Sequence, residues 1–285
     1  MADSTMLRSR LLAREHLIGT FVKTPTTHAT EILGALGFDF VVIDEEHAPF
    51  DRMAIDAALL AARAAGTAAL VRVSSATSIL SVLDCGATGV LVPHVASAAR
   101  AREVAATCRY EGGRRGYSGS PRHAGYGATG MWKTVEAADA ATTVIAQIED
   151  PEALDEIDGI AAVDGIDALF IGRGDLAVAL GAKSSDAPEV RSAVERIGKA
   201  RTRRRQARLR VRRWPGRGIV AARPGSDGVR RRLRPELHAQ GGGPGAGRDP
   251  LARRTRQHRS NQQCSSQDCL TKSTCRQASI GRFRE

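Results

Sequence analysis

The chain has 285 residues, with 42 Lys and Arg against 31 Asp and Glu, a formal charge of +11, and 5 Cys. That length suits one large α/β domain with a full core, and 42% hydrophobic content is ordinary for a globular protein. No apolar run approaches the roughly 18–20 residues of a membrane-spanning helix, Met1–Arg10 lacks the apolar stretch of a signal peptide, and the Cys lack paired metal spacing. A cytoplasmic protein without a zinc site is therefore expected.

The charge is unevenly spread. Residues 201–285 hold 22 Arg and one Lys against five acids, a net of +18, which leaves −7 for residues 1–200. We accordingly expect two parts, an α/β barrel over 1–200 and an Arg-rich segment over 201–285.

In chain order, Gly19–Val22 reads as a first strand. Thr24 is placed as an N-cap before Pro25, and Ala29, Ile32, Leu33 and Leu36 give helical spacing up to Gly37. Phe38–Ile43 is the second strand, followed by a helix carrying Ile55, Leu59 and Ala62. Ala69–Val73 is the third strand, with a helix through Ile79, Val82 and Leu83. Gly89–Val92 is the fourth, with a helix over about Ser97–Arg109. Thr143–Ile148 and Asp167–Ile171 are the fifth and sixth. Strands this apolar are buried on both faces, as in parallel sheets. Regular βα units without a Gly-x-Gly-x-x-Gly turn favour a TIM-type (β/α)8 barrel over a doubly wound sheet. The Gly-, Arg- and Ser-rich insert Tyr110–Ala141 is long enough to be functional or disordered.

In such barrels chemistry sits where strands end. Asp44, Glu45, Glu46 and His47 follow the second strand, Arg72 ends the third, Gln147 and Glu149 close the fifth, and Gly172–Asp175 leave the sixth. Glu149 and Asp175 could present carboxylate oxygens to one Mg²⁺ or Mn²⁺. Arg72 offers a fork for a carboxylate or enolate oxygen. His47 titrates in the range of a general base, with Asp44 or Asp84 to orient it. Each has a plainer reading: Glu149–Glu152 as an acidic helix start, Asp175 as a cap, Arg72 paired with Asp44, His47 facing solvent.

Taken together, Phe40-Val-Val-Ile-Asp-Glu-Glu-His-Ala-Pro49, Val71-Arg-Val73, Leu91-Val-Pro93, Arg115-Gly116, Gln147-Ile-Glu149 and Ile171-Gly-Arg-Gly-Asp-Leu176 resemble the HpcH/HpaI family of metal-dependent class II pyruvate aldolases. The resemblance runs from about Leu17 to Lys199. It implies cleavage of 2-keto-4-hydroxy or 2-keto-3-deoxy acids to pyruvate and an aldehyde, with Mg²⁺, Mn²⁺ or Co²⁺ as cofactor. Glu149 and Asp175 would be the metal ligands. Gln147 and the backbone at Gly174 and Asp175 would hold the keto-acid carboxylate, Arg72 the enolate oxygen, and His47 would be the base. A homohexamer is implied, as are a soluble keto-acid substrate and no specific nucleic-acid partner. The insert Gly113–Gly127 is similar to the family's Arg-Gly and Arg-Ala…Tyr-Gly loop, with His123 interrupting the Arg-Ala pairing. Alternatives are a citrate- or malyl-CoA-type lyase on a related barrel, and a basic nucleic-acid-binding protein using residues 201–285.

After Lys199 the resemblance stops. Shifting the frame by one base from Arg203 permits Gln206–Trp214 to read Lys-Pro-Val-Cys-Val-Phe-Val-Gly-Gly, the family's seventh strand. It also permits Gly228–Arg234 to read Gly-Phe-Asp-Ala-Val-Phe-Val, the eighth. The expectation is a barrel truncated after its sixth strand by a frameshift, with no strand supplied by residues 201–285, reduced stability and little or no activity.

Overall fold

The structure, a computed structural model, describes residues 6–202, 207–212 and 218–221. Six strands, β1 (Leu17–Val22), β2 (Phe40–Asp44), β3 (Ala68–Arg72), β4 (Gly89–Val92), β5 (Thr143–Ile148) and β6 (Ala168–Ile171), pair in parallel and in sequence order. Around them run α1 (Leu7–Leu12), α2 (Thr27–Ala35), α3 (Arg52–Ala64), α4 (Ser78–Asp84), α5 (Ala98–Thr107), α6 (Met131–Ala141), α7 (Pro151–Asp155), α8 (Ile157–Ala161), α9 (Arg173–Ala179) and α10 (Pro188–Thr202). This is a TIM-type α/β barrel truncated after its sixth βα unit.

Local chemistry explains the boundaries. Asp51 and Ser97 cap α3 and α5 through side-chain oxygens that accept from Ala54 and Arg100 amides, at 2.7 and 3.1 Å. The first long helix starts later than its sequence suggests. Thr24 is not its cap, because the Thr26 amide bonds back to the Thr24 carbonyl in a turn and the helix begins at Thr27. The second half of the insert is ordered, as a 3₁₀ turn over Arg122–Gly127 and then α6.

Two apolar layers follow from the two-residue period of a strand. Val41, Ile43, Val71, Val90, Ala146 and Leu169 belong to the layer between sheet and helices. Phe40, Val42, Leu70, Leu91, Ile145 and Phe170 fill the barrel interior, together with Leu7 and Leu11 from α1. Gly19 makes room for this filling, since a Cβ there would meet the Phe40 ring at 2.3 Å. Continuing the inward set by two residues reaches Asp44, Arg72, Gln147 and Gly172, and by four from Ile145 reaches Glu149. The interior alternation therefore aims the polar residues of three strand ends, β2, β3 and β5, at one mouth.

Beyond α10 the structure departs from expectation. β7 (Ala207–Arg212) pairs in parallel with β6, and β8 (Gly218–Ala221) runs antiparallel between β7 and β1, closing the barrel. The expectation that residues after 200 supply no strand is thus corrected. The physical reason is local: Ala207, Leu209 and Val211 alternate with Arg208, Arg210 and Arg212, and the open edges of β6 and β1 offer unpaired backbone groups. A hairpin replaces two βα units. Residues 222–285 lie outside the described residues, and with them the segment 228–234 where the shifted frame reads as an eighth strand. Among the described residues no helix is long and apolar enough to cross a membrane, and the described cysteines, Cys85 and Cys108, are free thiols.

Candidate active site

At the end of β2 and β3, Asp44 and Arg72 form a buried fork-to-fork pair. Arg72 Nε donates to Asp44 Oδ1 at 2.9 Å and its Nη2 donates to Oδ2 at 2.7 Å. Lys23 adds Nζ to Asp44 Oδ2 at 2.9 Å. Burial works against the charge on Asp44, but Arg72 and Lys23 outweigh it and hold the carboxyl below its usual range. The Phe21 ring lies over the guanidinium at 4.7 Å and packs edge-on against Phe170. One face and one edge of Arg72 are therefore fixed, and Nη1 remains, 3.3 Å from Glu46 Oε2.

Asp44 also accepts from the His47 backbone amide at 3.1 Å, so it positions the His47 main chain rather than its ring. The His47 imidazole is half exposed at the mouth, with Nε2 3.6 Å from Glu46 Oε2. Asp84 is not brought to it. Asp84 ends α4, on the side where β4 begins, and its partners are Arg115 at 3.5 Å and His123 at 3.4 Å. Within one chain the topology places Asp84 at the opposite end of the barrel from His47.

Glu149 is 2% exposed at the end of β5. Gln147 Nε2 donates to its Oε2, and the His94 backbone amide donates to its Oε1 at 2.9 Å. Among the described residues no Lys or Arg pairs with it. Burial raises the Glu149 carboxyl above its ordinary value, with Asp175 adding repulsion that the Gln147 and His94 bonds only partly offset. Gly172 is required here, because a Cβ would stand 2.8 Å from the Glu149 carboxylate. Asp175 lies in the first turn of α9, inside the helix rather than at its cap, and is exposed beside this carboxylate. Gly174 is exposed, with open space around it.

Two residues complete the mouth: Glu46, which the sequence places at a strand end without a role, and His94, which the sequence does not single out. His94 follows β4 with a left-handed backbone, φ 54°, and its Nδ1 lies 3.0 Å from Asp150 Oδ1. Glu46 sits between Arg72, His47 and His94. One ligand atom each from Glu46, His94 and Glu149 lie within 4.8 Å of one another. The strand-end rule reaches both: His94 stands two residues past β4, and Glu46 two past β2.

A buried carboxylate with no permanent cation, two further donors at its side and an unpartnered buried acceptor, Gln147 Oε1, is a donor set suited to a divalent cation. Residues 17–209 match the model of a family described as HpcH/HpaI aldolase/citrate lyase. The chain belongs to this family. It is 37% identical to a hydroxypyruvate/pyruvate aldolase of Roseobacter denitrificans, over 63% of this chain and 71% of that one. It is 34% identical to a 5-keto-4-deoxy-D-glucarate aldolase of Shigella sonnei, over 67% and 75%. Among solved structures, a citrate synthase, SbnG, superposes with a TM-score of 0.66 at 30% identity, covering 73% of this chain and 82% of that one.

Proposed function

We propose that this HpcH/HpaI family member is a metal-dependent aldolase that cleaves 2-keto-4-hydroxy or 2-keto-3-deoxy acids to pyruvate and an aldehyde. The observation that carries the reading is Glu149, a buried carboxylate with no Lys or Arg partner among the described residues, at the same mouth as Arg72, a buried and immobilised guanidinium. Glu149 and Asp175 would hold the cation. Bound there, it supplies a Lewis acid for the keto oxygen and carboxylate of the substrate.

The other residues act by position. His47, at the open mouth, takes the proton from the C4 hydroxyl. The C3–C4 bond then breaks, the aldehyde leaves, and the electron pair moves to the C2 oxygen as an enolate. Arg72, pinned by Asp44 and Phe21, presents Nη1 to that oxygen without reorganising. Gln147 and the backbone at Gly174 and Asp175 receive the substrate carboxylate. Protonation at C3 then gives pyruvate. Asp44 is a positioning residue for Arg72 and for the His47 backbone; Asp84 has no part in the site of its own chain.

Two relatives named as aldolases support this reading over the alternatives. The likeness to a citrate synthase supports a second reading, carbon–carbon chemistry on citrate-type substrates at the same mouth. Pyruvate release from a free 2-keto-4-hydroxy acid, with Mg²⁺, Mn²⁺ or Co²⁺ added to chelator-treated protein, separates the two. Release only with metal supports the aldolase. Turnover of citrate-type substrates alone would favour the second. A cytoplasmic homohexamer is the form the family resemblance supports, and the mass of the purified protein in solution tests the assembly.

A further inference from the structure

The mouth holds one imidazole that the aldolase reading does not use. His94 is carried past Pro93 at the end of β4, and its left-handed backbone, φ 54°, turns the amide onto Glu149 Oε1 at 2.9 Å. Its ring lies between three carboxylates. Nδ1 is 3.0 Å from Asp150 Oδ1 and 3.5 Å from Glu149 Oε1, while Nε2 is 3.9 Å from Glu46 Oε1.

An ionised carboxylate only accepts hydrogen bonds, so in the neutral imidazole the Asp150 contact takes the proton on Nδ1 and the Nε2 lone pair is on the side of Glu46. A carboxylate on one ring nitrogen with the other nitrogen free is how metal-binding histidines are oriented. A second observation points the same way. Gln147, 1% exposed beside Glu149, has an amide oxygen without a hydrogen-bond partner, an acceptor placed for a water on a bound ion.

We infer that His94 is a direct ligand of the cation held by Glu149, with Glu46 as a further oxygen donor and Asp150 as the orienting carboxylate. This rests on the reading of Glu149 as a metal ligand and specifies the metal class. An all-oxygen set suits Mg²⁺, whereas an imidazole shifts preference towards cations that accept nitrogen, such as Mn²⁺, Co²⁺, Ni²⁺ and Zn²⁺. Asp175, exposed on α9, remains available as another oxygen ligand.

The test uses the full chain loaded with Mn²⁺ or Co²⁺ and reads binding rather than turnover. Pulsed electron paramagnetic resonance of the Mn²⁺ form is expected to show coupling to an imidazole nitrogen, lost in His94→Asn. Asn tolerates the left-handed backbone and cannot reach as far, and His94 is exposed, so the variant keeps the fold. Calorimetry is expected to show Co²⁺ affinity falling at least about tenfold in His94→Asn, on the order of what disturbing a ligand's support costs, with Mg²⁺ affinity changed less than about twofold. Bound Mn²⁺ without nitrogen coupling, or equal Co²⁺ affinities, would overturn the assignment of His94 and leave Glu149 as a metal ligand. Binding that is absent, or untouched by Glu149→Gln, would overturn both.

Discussion

Asp44 accepts from Nε and Nη2 along one edge of the Arg72 guanidinium, at 2.9 and 2.7 Å, inside a mouth where the carboxylate is fully buried. A pair of this kind adds little net stability while intact, yet removing one member strands the other charge away from water. Asp44→Asn is expected to cost about 3 kcal/mol in urea denaturation. It should also lower kcat for keto-acid cleavage, because Arg72 loses its anchor. A variant with unchanged stability and unchanged kcat would show that Glu46 and the Phe21 ring suffice to hold the arginine.

A different group governs pH dependence at the far end of the barrel. Burial, and then Arg115, pull the His123 imidazole below its ordinary 6.5, against the opposing pull of Asp84. The unfolded chain therefore binds this proton first as pH falls, so stability is lost below about 6.5 and rises again with pH through that window. His123→Gln is expected to flatten this part of the stability curve, although it also removes the bond from His123 to the Tyr110 hydroxyl. Denaturant midpoints at pH 5 and pH 7 provide the check, and an unaltered slope would assign the pH dependence to another group.

How much was legible in the sequence depended on period. Six strands were readable because apolar runs bounded by Gly and polar turns survive without tertiary help, and β4 and β5 fall on their expected residues. Asp44, Arg72, Gln147 and Glu149 were findable because each ends an apolar strand. The Asp44–Arg72 pair was readable only as one of two alternatives: that Asp44 binds Arg72 rather than the His47 ring is set by inward alternation on adjacent strands, and the position of Asp84 by which end of the barrel α4 returns to. Glu46 and His94 each stand two residues past a strand end, where spacing alone assigns no partner.

The last segment was the hardest to read. Dense arginine hid the alternation in Ala207–Arg212, which β6 can pair with through backbone alone. We propose that residues after about 203 are nonetheless out of frame, with the β7–β8 hairpin standing where two βα units belong. Restoring the alternative frame is expected to raise both the melting temperature and the rate of metal-dependent cleavage. Equal values for the two chains, or coding DNA around codons 198–204 that admits no shift, would contradict this.

The central claim is that this mouth makes a pyruvate enolate, and that Glu149 would hold the cation the reaction needs. Its most direct test needs no knowledge of the aldehyde: the methyl protons of pyruvate are followed by NMR in D₂O with the full chain and Mn²⁺-, Co²⁺- or Mg²⁺-loaded samples compared with chelated ones. The account predicts metal-dependent exchange of those protons for deuterium, above the rate of metal alone, and its loss in Glu149→Gln. Exchange no faster than metal alone, or equally fast in the chelated protein and in Glu149→Gln, would contradict it.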